Sequence, residues 1–169
     1  KFQKNNLPLQ AEAKSELSIS GEALTNLIQD VLSKKSPFRF RAKGFSMSPF
    51  IKDGDFITLS PLFSAPPLLG DVVAFVHPKT GKLIIHRVVG KKGDSYFIKG
   101  DSTSEIDDII PRAKILGRVT EVKRDKKKIV LGFGPERLLI AFLTRRKLFF
   151  VLLLPVWRIV RPLARRLFR

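Results

Sequence analysis

"FRFRAKGFSMSPFIKDGDFITLS", residues 38–60, carries both the fold signal and the chemical signal of this chain. Its first part alternates with period two. Phe38, Phe40 and Ala42 fall on one face, and Arg39, Arg41 and Lys43 on the other, the pattern of a half-buried strand. Its last part, "DFITLS", is a second short run of strand formers. Between them lie Gly44, Pro49 and the turn sequence Asp53-Gly54-Asp55. Ser46 sits in this connection, beside the only methionine of the chain.

The same alternation of strand and turn continues outward. "DVVAFVH" (71–77), "KLIIHRVVG" (82–90), "SYFIKG" (95–100), "ILGRVTEV" (115–122) and "KKIVLG" (127–132) are separated by clusters of Gly, Pro, Asp and Lys. "HPKTGK" and "KKGDS" read as hairpin connections. Short strands at this spacing predict a mainly β domain over residues 37–134, a partly closed barrel of antiparallel strands. Upstream, residues 1–36 read as a polar arm followed by a helix. Leu24, Leu27, Ile28, Val31 and Leu32 recur at helical spacing, with Ser20 as N-cap.

Residues 135–169 differ from both. From Arg137 onward there are eight arginines, one lysine and no acid, mixed with Leu, Phe, Val, Ile and Trp. Pro155 and Pro162 interrupt the helical pattern. The longest uncharged run, Leu148 to Trp157, is ten residues, about half of what a spanning helix needs. Arg158, Arg161, Arg165 and Arg169 form one basic face, and Trp157, Val160, Ala164 and Phe168 a neighbouring, mostly apolar one. Such a region suits a helix lying in the interface of an anionic membrane. The expectation is a peripheral or monotopic membrane association. The formal net charge of +17 agrees with an anionic surface as partner.

Composition narrows the chemistry. Without cysteine there is neither a disulfide nor a thiolate site, and two histidines, His77 and His86, are too few for a zinc centre. A serine becomes a nucleophile when a base stands beside it. His86 interrupts the apolar strand "KLIIHRVVG" and suits that role. One strand further on, "KGDSTSEIDD" supplies Asp101, Glu105, Asp107 and Asp108, carboxylates able to orient an imidazole.

"GFSMSPF", "LGDVVAF", "IIHRVVG" and "KGDSTSEIDD", in this order, resemble the successive sequence boxes of the signal peptidase I family, over about Phe38 to Val122. The resemblance implies a β-rich serine endopeptidase that cleaves a signal or leader peptide from a precursor, with no metal or organic cofactor. It implies Ser46 as nucleophile and His86 as base, as in the endoplasmic-reticulum and archaeal type. It also implies an orienting aspartate, for which Asp107 and Asp108 compete, with Asp101 as a structural or alternative acid. Gly44 stands where many signal peptidases carry a serine that helps bind the oxyanion, so the oxyanion hole is expected from backbone N–H groups of Ser46 and Gly44. Gly44 is also similar to the LexA-type self-cleaving proteases, which share the wider fold and use a lysine base. A hydrophobic anchor usual in signal peptidases does not occur between Lys1 and Ser46, and the apolar C-terminal region is expected to take its place.

Three other readings stand beside this one, and the first, a catalytically silent family member that only binds peptides, draws on Gly44. A peptidase dedicated to one peptide precursor on the cytoplasmic side keeps the chemistry and changes the substrate. A non-catalytic, basic nucleic-acid-binding β-barrel explains the charge and the Arg39, Arg41, Lys43 face but leaves Ser46, His86 and the aspartates without a purpose. Nucleic acid is therefore not the expected partner.

Overall fold

The computed structural model describes residues 21–63, 65–104, 109–146 and 148. The polar arm, the Ser20 cap, Glu105, Asp107, Asp108 and the two proline breaks of the tail lie outside these. The described chain runs α1 (Gly21–Ser33), β1 (Phe38–Arg41), β2 (Phe56–Pro61), β3 (Val72–Val76), β4 (Leu83–Lys92), β5 (Ser95–Lys99), β6 (Ile109–Pro111), β7 (Ile115–Arg124), β8 (Lys127–Lys128) and α2 (Arg137–Arg145). A short 3-10 turn, Arg112–Lys114, joins β6 to β7.

The strands form one antiparallel sheet in the order β1-β2-β7-β3-β4-β5-β6, with β8 paired to the end of β7. Two ten-residue strands give it its curl. β7 pairs with β2 along most of its length and with β3 near its start. β4 pairs with β3 through Leu83–Arg87 and with β5 only from Arg87 onward. Each long strand thus belongs to two halves of the sheet, and register shifts at Thr58/Leu59, Ala74/Phe75 and Val88/Gly90 bend them, as β-bulges do. The result is the mainly β, partly closed architecture read from the strand spacing.

The two faces of the curled sheet carry separate cores. One contains Ile57, Leu59, Val72, Ala74, Val119 and Val122, covered by Ile28 and Leu32 of α1. The other contains Val73, Phe75, Val88, Tyr96, Ile98 and Ile110. The alternation in "KLIIHRVVG" follows this division. Leu83 and Ile85 pack toward the first core and Ile84 and Val88 toward the second. Leu27, expected on the inner face of α1, is instead 40% exposed, and the buried face is made by Thr25, Ile28 and Leu32, with the Thr25 hydroxyl donating to the Gly21 carbonyl at 2.8 Å. "KKIVLG" extends as a strand only through Lys128; a turn follows, with Gly132 at φ 95°.

α2 packs Ile140 and Leu143 against Phe50 and Phe133. Its other side leaves Leu138, Leu139 and Phe142 more than half exposed. Among the described residues no helix is long and apolar enough to cross a membrane.

Candidate active site

Ser46 lies in the connection from β1 to β2. The connection is held as tight turns, with Ser48 N–H donating to the Phe45 carbonyl at 2.9 Å and Ile51 N–H to the Met47 carbonyl at 3.0 Å. Met47, Phe50 and Ile51 are buried and anchor the turn from beneath, while Ser46 is half-buried. Asp53 and Asp55 secure its exit. Asp53 Oδ1 accepts the Gly44 N–H at 2.8 Å. Asp55 accepts the Lys52 N–H and a two-pronged contact from Arg124 at 2.8 and 2.7 Å. The hydrogen bond to Asp55 raises the pKa of Arg124 against the opposing effect of burial.

His86 is buried on β4, its ring 6.4 Å from that of Phe75. The backbone of the serine turn and the His86 imidazole both stand close to Gly100. A methyl group placed there would stand 2.8 Å from the Ser46 carbonyl oxygen and 2.9 Å from His86 Nε2. Gly100 is therefore the spacer that lets the serine turn and the histidine strand approach, a place where backbone must come closer than any side chain allows. The next turn clamps the serine segment. Ser102 N–H donates to the Ser46 carbonyl at 2.8 Å and Ser102 Oγ to the Phe45 carbonyl at 2.6 Å.

Asp101 does other work. It is fully buried and meets Arg87 in a bidentate pair, Nε to Oδ1 at 2.8 Å and Nη2 to Oδ2 at 2.7 Å. Arg87 Nη1 reaches the carbonyls of Gly70 and Gly132 at 2.9 and 2.8 Å. Of the two roles open to Asp101, this geometry is that of a structural acid. Asp107 and Asp108 lie outside the described residues. Gly44 lines the groove beside Ser46, but its N–H is directed to Asp53, which takes it away from the oxyanion-binding role expected of it.

Ser46 lines a groove of about 1040 Å³. One wall is Phe40–Gly44 and Met47; the other is Thr80–Ile85; Leu24, Ile51 and Ile57 contribute apolar surface. It runs beside β1, an end strand of the sheet, and the half of β4 that precedes its pairing with β5.

Gly100, Ser102, Arg87 and Asp71 lie within the sequence boxes, but their individual roles come from contacts that the sequence does not display. Asp71 is buried and takes Arg118 at 3.1 Å and Arg137 at 2.9 Å. A glycine before a polar turn was the only local sign of Gly100.

The curled antiparallel sheet thus carries a serine turn that lines a groove, and a buried strand histidine that stands close to the same glycine as that turn. Residues 9–120 match the peptidase S24-like family. The chain belongs to that family, within the LexA and signal peptidase superfamily of serine peptidases. A comparison with curated proteins finds none that matches.

Proposed function

We propose that the protein is a serine endopeptidase of the Ser-His type that removes a signal or leader segment from a precursor protein at a membrane surface. The observation that carries this reading is the approach of the Ser46 turn and His86 Nε2 around Gly100, with Ser46 lining the groove. An extended substrate segment enters as an added strand between β1 and the first half of β4, where backbone groups supply affinity and the apolar lining supplies selection. The resemblance implies small side chains just before the scissile bond.

Ser46 Oγ attacks the scissile carbonyl while its proton passes to His86 Nε2. The resulting imidazolium then protonates the leaving amine, and water, activated by the same base, releases the acyl group from Ser46. The Ser46 N–H serves the oxyanion. Asp107 or Asp108 orients the imidazole. Histidine at this position spares the site the burial that a lysine base needs to reach a working pKa.

Membrane association is supported by the exposed Leu138, Leu139 and Phe142 on α2, by Arg145 and Arg146 at its end, and by the basic, apolar sequence that follows. The test is co-expression with exported precursors. Processing by the wild type and none by Ser46→Ala or His86→Ala is expected; equal processing by all three would refute the enzyme.

A further inference from the structure

α2 lies beyond residue 120, where the family match ends, yet it holds both neighbours of Gly100. Lys99 is 2% exposed, and its Nζ donates to the Thr144 carbonyl at 2.7 Å. On the other side, Asp101 Oδ1 stands 3.4 Å from the Thr144 hydroxyl. A lysine is almost never this deeply buried without a specific partner, and filling space alone is done as well by methionine. Thr144 lies in the last turn of α2, where the negative end of the helix dipole favours a cation. α2 also reaches the serine side of the site, through the packing of Ile140 and Leu143 on Phe50. Phe50 belongs to the same turn as Ser46.

We propose that α2 is a positioning element of the peptidase site: Lys99 and Thr144 fix the Lys99–Asp101 segment so that Gly100 stays pressed between the Ser46 carbonyl and His86 Nε2. Neither residue touches substrate. They act through Gly100 and through the Ser102 N–H that holds the Ser46 carbonyl. The inference rests on the Ser-His reading for its catalytic consequence, and on the hydrogen bonds alone for its structural one.

The experiment uses the full chain with Lys99→Met, Thr144→Val and Thr144→Ser, and reads two quantities on each. One is the rate constant for covalent labelling of Ser46 by an alkyl fluorophosphonate, located by mass spectrometry. The other is the hydrogen-exchange rate of the Ser102 amide in the folded protein. Lys99→Met is expected to slow labelling at least tenfold and to speed Ser102 exchange at least tenfold. Amides in β2 and β7 keep their wild-type rates. Thr144→Val follows in the same direction, and Thr144→Ser, which keeps the hydroxyl, returns both values to within about twofold of wild type. Unchanged Ser102 exchange in folded Lys99→Met overturns the proposal. So does a loss of protection shared equally with β2 and β7, since that marks general destabilisation. A wild type that is not labelled at Ser46 sinks the serine-peptidase reading instead, and the exchange rates still decide the positioning role.

Discussion

Replacing Asp101 by asparagine tests the division of labour among the acids. The pair Arg87–Asp101 has side chains with no solvent exposure and a contact of 2.7 Å. Asparagine keeps the shape but removes the charge, leaving a buried guanidinium whose remaining protein acceptors include the Gly70 and Gly132 carbonyls. Breaking one side of such a pair costs about 3–5 kcal/mol. For a chain of this length that lowers Tm by roughly 6–20 °C. The companion Arg87→Met is expected to cost a similar amount, because it also strands those two carbonyls. Removing both charges together should cost about 2 kcal/mol less than the two single changes combined, the signature of direct coupling. Calorimetry and far-UV circular dichroism on the four proteins give the cycle. A Tm within about 2 °C of wild type for Asp101→Asn, together with additive effects, would refute the buried-pair argument. If the peptide-cleaving rate fell while stability held, Asp101 would be the acid that orients His86.

Three further outcomes follow from the geometry. Gly100→Ala places a methyl group within 3 Å of the Ser46 carbonyl and His86 Nε2; fluorophosphonate labelling of Ser46 should fall at least about 100-fold, since displacement of about an ångström at a reacting group has that effect. Gly132→Ala meets Phe50 at 2.6 Å with φ at 95°; a denaturant titration should show a loss of about 1–3 kcal/mol. Glu136 is subject to burial, which raises its pKa, but N–H groups of its own residue, Gly132 and Gly134 outweigh that and hold the pKa below the usual carboxylate value. Its stabilisation is therefore complete above the unfolded value of about 4.3 and is lost as pH falls through the lower folded one. Glu136→Gln should lower stability at neutral pH and flatten its decline at acid pH, read from urea midpoints between those limits.

The parts of the fold that were legible are those set by local periodicity. The strand runs of 38–60, 71–77 and 82–90 were readable because alternation and turn residues sit next to one another in sequence. β6 escaped notice because "IIP" is three residues long and ends in proline. The shortening of "KKIVLG" depends on a tertiary demand: the Gly132 carbonyl is needed by Arg87, forty-five positions away. The same distance separates Lys99 from Thr144, and no pattern within a window could announce either contact. His86 stands out as a polar residue in an apolar strand, whereas Ser46 is singled out only by the order of the sequence boxes around it. Gly100, which the Ser46 carbonyl and His86 both approach, is distinguished only by the side chain it lacks.

The reach of Arg87 bears on the order in which a growing chain becomes a working molecule. Its guanidinium joins segments around residues 70, 101 and 132, and Lys99 waits for residue 144. During synthesis from the amino end, strands β1 to β7 emerge while two buried cations still lack acceptors that come later. Such contacts, distant in sequence, close late. On the proposed reading the turn that carries Ser46 is held in place last, and a nascent fragment stopping near residue 120 lacks the α2 contacts on both sides of Gly100.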